Sequence, residues 1–333
     1  MKGLLVTTLA ATVLVGGPAL AQDQCSSGET IIKFSHVSAP SGNPKGEMAA
    51  ALAQRVNAEL DGSMCMQVFP SSQLYNDDEV MEALAIGDVQ LASPDIGKLG
   101  AYTSKLDVFN LPFLFEDTAA VERFTQGEAG AELLQSMSDS GFVGLAYVYN
   151  GLRAFSANRP LEHPDDLKGL KIRATTSDVS IAMIEQLGAT PQPLAWSEAF
   201  GALQTGVVDG QENTWSNIYT GKLYEVQDGV TETNHQFLTY ILVTSQEVLD
   251  GLDDDVRTQF MQIVGEVTEE FNAKATAINE ESKKRITEAG VTIRTLSPEV
   301  RQEWVDAVKP VWKEFEDGIG ADVIEAAVAS NKS

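Results

Sequence analysis

Hydrophobic residues in the first third of the chain fall into short strand-like runs that are separated by amphipathic stretches. Runs rich in alternating or clustered apolar residues predict strands at 30–36, 66–70 and 89–93. Apolar residues at helical spacing predict helices at 45–59 and 76–86 between them. This rhythm with short turns is typical of a doubly wound, mainly parallel sheet, in which ligands bind beyond the carboxyl ends of the strands.

The same rhythm begins again after Gly169. A helix predicted at 118–137 and a strand at 141–149 that runs into 150–153 lead from the first series to the second. Two such series joined by single passes of chain predict an α/β protein with two lobes and a hinge. We expect lobe I to comprise 28–150 and 239–278, and lobe II to comprise 151–238 and 279–333.

A long amphipathic stretch begins at Asp253 and stops at Gly290. Its apolar residues keep helical spacing throughout, at Val256, Phe260, Ile263, Val267, Phe271 and Ile278. A helix of about 35 residues would span about 50 Å, which exceeds one small domain. We therefore expect this helix to bridge the two lobes or to be kinked between them. A final helix, capped by Ser297, should bend at Pro310.

The first 21 residues have the features of a secretory signal. Lys2 precedes an apolar run at 4–15, and Ala19-Leu20-Ala21 matches an A-x-A cleavage pattern. No later run approaches the roughly 18 uninterrupted apolar residues that a membrane helix needs. We expect residues 1–21 to be removed and the mature chain to be soluble outside the cytoplasm, without inserting into the membrane.

Charge and composition argue against several classes of function. A formal net charge of −25 repels nucleic acid and anionic membranes, and we interpret it as a solvated acidic surface. The three histidines and two cysteines do not have metal-site spacing, and the sequence contains no nucleophile elbow or phosphate loop. The sequence therefore predicts a protein that is not an enzyme and that uses no cofactor.

Cys25 and Cys65 each lie just before a predicted strand. In an oxidising compartment an isolated pair of cysteines usually forms a disulfide, and two neighbouring parallel strands would bring their starting points together. The alternative is a pair of unpaired structural thiols.

Residues 171–178 have the pattern of an anion site. Arg173 ends the predicted strand K-I-R, and Thr175 to Asp178 are residue types that cap a following helix. A guanidinium beside the free N–H groups of a helix N-terminus favours a carboxylate. The alternative is a structural ion pair between Arg173 and Glu212.

Six short stretches, in order along the chain, form a wider pattern: F-S-H-V at 34–37, P-S-S-Q-L at 70–74, L-P-F-L-F at 111–115, N-G-L-R at 150–153, D-L-K-G-L-K-I-R at 166–173, and 203–213, which ends in V-D-G-Q-E-N. This pattern resembles the extracytoplasmic solute-binding proteins of tripartite ATP-independent periplasmic (TRAP) transporters, DctP type. The resemblance implies a two-lobed periplasmic binding protein of type II-like fold. It also implies a monomer that closes around a small organic anion and delivers it to the small and large membrane subunits.

The resemblance also implies roles for individual residues. Arg173 would pair with the ligand carboxylate, assisted by Arg153 and Asn213, while Gln73 and the segment after Ser93 would line the opposite lobe. Further candidates for contact with the ligand are Asp95, Trp196, Trp215, Lys45 and His36. The two tryptophans would otherwise serve as packing, and Lys45 would hold a second anionic group or remain a solvated lysine.

The sequence leaves the substrate open. The stretch 154–161 resembles the C4-dicarboxylate branch of the family, whereas carboxylates at Asp78 and Asp95 would repel a second anionic group. They would favour one carboxylate or sulfonate with hydroxyl or amino groups, as in a sugar acid. Pro191, Trp196 and Glu198 resemble the branch that binds compatible solutes such as ectoine. A receptor that presents its ligand to a sensor kinase is a further alternative.

Overall fold

Ten strands form one continuous sheet in the computed structural model, which describes residues 25–332. The strands are β1 (Thr30–Ser35), β2 (Met64–Phe69), β3 (Leu91–Ala92), β4 (Phe142–Ala157), β5 (Lys171–Ala174), β6 (Thr190–Pro193), β7 (Gly210–Thr214), β8 (Gly229–Glu232), β9 (Phe237–Ser245) and β10 (Thr292–Thr295).

Helices pack on both faces of this sheet. They are α1 (Pro44–Glu59), α2 (Val80–Ala85), α3 (Thr118–Gln126), α4 (Glu128–Leu134), α5 (Asp178–Gln186), α6 (Ala199–Gln204), α7 (Trp215–Thr220), α8 (Gln246–Asp250), α9 (Asp254–Glu288), α10 (Pro298–Val308), α11 (Pro310–Ile319) and α12 (Ala321–Ala329). Short 3-10 helices lie at Ile96–Lys98, Ser104–Asn110, Ser138–Ser140, Pro164–Leu167, Trp196–Glu198 and Leu223–Val226.

The sheet divides into two lobes, which confirms the predicted two-lobed α/β fold. In the first lobe, the order is β2-β1-β3-β9-β4, with β1 parallel to β2 and β3. In the second lobe, the order is β4-β7-β5-β6, with β5 parallel to β6 and β7. Strands β4 and β9 run antiparallel to their neighbours in the middle of the sheet. Parallel strands therefore form the outer part of each lobe, and ligands of such sheets bind beyond the carboxyl ends of the strands.

Strand β4 passes from one lobe into the other. Residues Phe142 to Leu152 pair with β9, and Arg153 to Ala157 pair with β7. The pairing with β9 shifts between Tyr149 and Gly151, just before the strand changes lobes. Arg153 therefore lies at the crossing point between the two lobes.

Helix α9 is an unbroken helix of 35 residues, as its apolar spacing predicts. Phe260, Ile263 and Val267 are buried in the core that α1 and β1 form in the first lobe. Near the other end of the helix, Ile286 is buried in a core of the second lobe. The helix therefore bridges the lobes.

Two predicted helices are divided more finely in the structure. The helix expected at 118–137 ends at Gly127, whose ψ of 173° breaks the helical path between α3 and α4. The C-terminal helix is interrupted at Pro310, which begins α11, and again at Gly320, whose φ of 101° suits a residue without a side chain. The resulting α11 packs against both the Ser104–Asn110 segment and α5.

Cys25 and Cys65 form a disulfide, with Cα atoms 5.5 Å apart. The bridge lies at the amino-terminal ends of β1 and β2, which pair in parallel from Thr30 and Met64 onwards. The predicted disulfide is thereby confirmed, and it joins the starting points of two neighbouring parallel strands, as expected from the sequence.

The predicted signal, 1–21, lies outside the described residues. None of the helices within residues 25–332 has both the length and the apolar character needed to cross a membrane.

Candidate functional site

A cleft between the lobes opens at the carboxyl ends of β1, β5 and β7. Turns and strand ends from both lobes supply its lining. The lining residues are Val37, Ser38, Asp77, Asp95, Lys98, Arg153, Arg173, Thr175, Trp196, Asn213, Asn217, Leu238 and Tyr240. Five of the predicted site residues are thus brought together: Arg173, Arg153, Asn213, Asp95 and Trp196.

Arg173 enters the cleft near the end of β5 and is only 2% exposed. Its Nε and Nη2 donate to the backbone oxygen of Leu194 at 3.1 and 2.8 Å, and its guanidinium lies 6.0 Å from the ring of Trp196. Within the described residues, no carboxylate is in ion-pair contact with it, and Glu212 pairs with Arg153 instead. Burial lowers the pKa of Arg173, since it disfavours the charged form. A buried cation of this kind favours an anion from outside the chain.

Arg153 has the opposite environment, because its charge is compensated inside the protein. Its Nη1 donates to both carboxylate oxygens of Glu212 at 3.0 and 3.1 Å, and its Nη2 donates to Oδ2 of Asp95 at 2.7 Å. Burial by itself would lower the pKa of Arg153, but the two carboxylates raise it above its ordinary value. Arg153 therefore stays charged and braces β4 against both walls of the cleft.

Several hydrogen bonds cross the cleft and join the lobes. Besides the ion pair between Arg153 and Asp95, Thr176 Oγ1 in the second lobe donates to Asp78 Oδ1 at 2.7 Å. Asn43, the cap of α1, donates through Nδ2 to Asn217 Oδ1 at 2.6 Å. The structure therefore represents the closed arrangement of the two lobes.

Asn213 ends the V-D-G-Q-E-N stretch and is 3% exposed. Its Oδ1 accepts from the backbone N–H of Thr214 at 3.0 Å and from Asn217 Nδ2 at 2.7 Å. These bonds orient the side-chain amide at the cleft wall. Tyr240 on β9 forms the neighbouring surface, and its hydroxyl accepts from Asn217 Nδ2 at 3.2 Å.

The structure places four other predicted residues outside the cleft lining. Lys45 is buried behind Tyr240: its Nζ donates to the backbone oxygen of Ser93 at 2.8 Å and lies 3.6 Å from the Tyr240 ring. Burial lowers the pKa of Lys45 to about 8 and that of His36, which is also buried, to about 3. Gln73 is exposed, and Trp215 is buried beside Lys283 of α9. Direct ligand contact by these four residues stays a prediction.

The sequence arguments did not select Asp77, Lys98, Asn217 or Tyr240, although all four line the cleft. Asn217 lies on α7, which begins directly after β7 and Asn213, so its closeness in sequence to the predicted strand end was a usable signal. Lys98 and Asp77 follow no periodic pattern, because they lie on a short 3-10 helix and a turn whose positions are set by tertiary packing.

These features define the class of the molecule. Two α/β lobes meet across a narrow cleft at the ends of their parallel strands, and the cleft contains a buried arginine that has no carboxylate partner among residues 25–332. This is the arrangement of a two-lobed solute-binding protein.

Comparison with known proteins gives the family. Residues 34–318 match the family model of DctP, bacterial extracellular solute-binding protein family 7, and the chain belongs to this family. The C4-dicarboxylate-binding periplasmic protein DctP of Vibrio cholerae is 53% identical over 327 residues, covering 98% of each chain. The resemblance to TRAP-transporter solute-binding proteins is thereby confirmed.

Solved structures agree with this assignment. A TRAP periplasmic solute-binding protein from Shewanella oneidensis with bound succinate is 48% identical, with a TM-score of 0.90, and the match covers 91% of this chain and 100% of that one. A second, from Pseudomonas aeruginosa with bound L-malate, is 40% identical, with a TM-score of 0.83, and the match covers 86% of this chain and 99% of that one.

Proposed function

We propose that this protein is the periplasmic receptor of a TRAP transporter and that it captures a C4-dicarboxylate. The observation that carries the proposal is the buried guanidinium of Arg173, which faces the cleft without a carboxylate partner among the described residues. Its planar fork of donors matches a carboxylate in two-pronged geometry. Asn213 and Arg153 lie on the same cleft surface and assist in this proposal.

Two arguments favour a dicarboxylate over the other substrates. The relatives at 53, 48 and 40% identity carry the name of a C4-dicarboxylate-binding protein or contain bound succinate or malate. The carboxylates of Asp78 and Asp95, which argued against a second anionic group, are both engaged in ion pairs within the protein. Their repulsion of a dianion is correspondingly reduced. Neither ectoine, a sulfonate nor a sensor-kinase role has comparable support.

The receptor role has consequences for the location, the oligomeric state and the partners of the protein. We propose that the mature chain acts in the periplasm as a monomer without enzymatic activity, and that it delivers its ligand to the small and large membrane subunits. The lobes would comprise 28–150 with 239–278, and 151–238 with 279–333. The change of β4 partners at Leu152 and Arg153 supports the first boundary. The C-terminal helices contact both lobes, since α11 packs against the Ser104–Asn110 segment of the first lobe and against α5 of the second.

Titration calorimetry on the mature protein tests the substrate. The panel would contain succinate, L-malate and fumarate, with galacturonate, sialic acid, a short alkylsulfonate and ectoine as comparisons. We expect the C4-dicarboxylates to bind at least ten times more tightly than any comparison compound. Tighter binding of a sugar acid or of ectoine would contradict the proposed substrate class while leaving the family unchanged.

A further inference from the structure

Besides Arg173 and Arg153, the cationic side chain of Lys98 also lines the cleft. Lys98 ends the short helix Ile96–Lys98 in the first lobe, and its side chain is only 5% exposed. It lines the cleft together with Arg173, which belongs to the second lobe. Two cations therefore reach the same space from opposite walls.

Asp78 holds the ammonium group of Lys98 in position. Lys98 Nζ donates to Asp78 Oδ2 at 2.7 Å, and the other oxygen of that carboxylate, Oδ1, accepts from Thr176 Oγ1 at 2.7 Å. Burial would raise the pKa of Asp78, but the hydrogen bonds from Lys98 and Thr176 and the nearby charge of Arg173 lower it. The carboxylate therefore remains charged and keeps Lys98 oriented.

The ammonium group retains donors for a ligand. A lysine ammonium has three N–H donors, and Asp78 is its hydrogen-bond acceptor within the described residues. Lys45, the lysine that the sequence suggested for a second anionic group, is instead directed at the Ser93 carbonyl and the Tyr240 ring. Lys98 is thus the lysine that lines the cleft.

We infer that Lys98 binds the second carboxylate of the ligand and makes the receptor prefer dianions over monoanions. The inference rests on the proposed function, because it needs a ligand with an anionic group at each end. Arg173 binds one carboxylate from the second lobe, and Lys98 binds the other from the first. A dianion therefore also links the two lobes electrostatically, whereas a monoanion engages only one of them.

Two matched ligands distinguish binding of the second carboxylate by Lys98 from a general contribution of Lys98 to ligand affinity. Succinate and succinamate have the same chain length, but succinamate has an amide in place of one carboxylate. Their dissociation constants would be measured by calorimetry on the wild type and on Lys98→Met, which removes the charge and keeps most of the side-chain length. Lys105→Met, at an exposed lysine of the same lobe, is the matched control.

We expect the wild type and Lys105→Met to prefer succinate over succinamate by about 10- to 150-fold, the range of a charge-assisted hydrogen bond. In Lys98→Met this ratio should fall below about threefold, mainly through loss of succinate affinity. Lys98→Arg, which keeps the charge, should retain most of the preference and provides a second test if Lys98→Met folds poorly.

Two results would overturn the inference in distinguishable ways. If the wild type binds neither ligand, the proposed function fails and the inference fails with it. If the wild type binds succinate but Lys98→Met keeps the wild-type ratio, or weakens both ligands equally, the dicarboxylate receptor stands and Lys98 has no role in selecting the second charge.

Discussion

Arg153 and Arg173 are both buried in one cleft, yet their partners give them different roles. Burying a charge is expensive unless it is paired, and Arg153 is paired twice, with Glu212 and Asp95. Arg173 has a backbone carbonyl on one edge and the Trp196 ring nearby. A ligand carboxylate would therefore be stabilised most strongly by pairing with Arg173.

Replacing Arg173 by alanine should weaken succinate binding by about 10- to 150-fold, or 1.5 to 3 kcal/mol, because a charge-assisted pair is lost in a cleft shielded from water. Calorimetry at one pH and salt concentration measures the change. Arg285→Ala, at an arginine on α9 that is 53% exposed, is the matched control and should leave the affinity unchanged. An affinity within twofold of the wild type would remove Arg173 from the ligand site.

Asp107 is buried away from the cleft and makes the stability depend on pH. Burial, aided by the charge of Asp178, raises its pKa from 3.8 to about 7. The folded state therefore binds a proton that the unfolded state releases, and the stability contribution of Asp107 is lost as pH rises from about 4 to 7.

The isosteric change Asp107→Asn should remove this dependence. Its melting temperature should exceed that of the wild type by an amount that grows from pH 4 to pH 7 and is constant above pH 7. Each kcal/mol recovered corresponds to about 2 to 4 °C. Asp139→Asn, at an exposed carboxylate, serves as control. A difference that is independent of pH would contradict the assigned titration.

The residues that the sequence could predict are those on regular elements. Arg173 was found because a strand end and a helix cap adjoin in the chain, which is a local signal. Lys98 and Asp77 were not found, because they lie on a short 3-10 helix and a turn of the other lobe and reach the cleft only through tertiary packing. The role of Asp95 was also set by a distant residue, since its carboxylate pairs with Arg153 across the cleft.

Among the elements, α9 and β4 show what the hydrophobic periodicity of the sequence can and cannot predict. Strict helical spacing over many turns predicted α9 and its bridging position. The pair Asn150-Gly151 has the composition of a turn, but β4 continues through it to Ala157. The register shift at Gly151 absorbs the irregularity, and Asn150 Oδ1 accepts from Ser216 at 2.8 Å. Side-chain contacts from the second lobe therefore keep residues 150 and 151 in the strand, although their local sequence favours a turn.

The disulfide should stabilise the first lobe without affecting the ligand site. Closing a loop between Cys25 and Cys65, 40 residues apart, contributes up to about 4 kcal/mol by restricting the unfolded chain. The double variant Cys25→Ser, Cys65→Ser should therefore melt at a lower temperature with unchanged succinate affinity, because the bridge lies at the opposite strand ends from the cleft. Reductant should lower the melting temperature of the wild type and leave the double variant unaffected. Equal sensitivity of both proteins to reductant would contradict this account.

At the scale of the whole molecule, few contacts hold the lobes together across the cleft. The hinge elements β4 and α9 are continuous through both lobes, so closure changes the distance between the walls without breaking either element. The bonds from Arg153 to Asp95, from Thr176 to Asp78 and from Asn43 to Asn217 form only when the walls meet. Their free energy therefore adds to ligand affinity, because binding and closure are linked.

A substitution at Thr176 tests the linkage between ligand binding and lobe closure with the smallest change to the protein. Its hydroxyl contacts Asp78 across the cleft, so Thr176→Val removes one closing bond and keeps the shape of the side chain. We expect succinate affinity to fall by about 2- to 10-fold, from the 0.5 to 1.5 kcal/mol of one hydrogen bond, and the dissociation rate in stopped-flow fluorescence to rise in proportion. Thr176→Ser keeps the hydroxyl and should behave like the wild type. If Thr176→Val instead slowed succinate association and left its dissociation rate unchanged, the hydrogen bond from Thr176 to Asp78 would form before closure. This bond would then not stabilise the closed complex, which contradicts the proposed linkage.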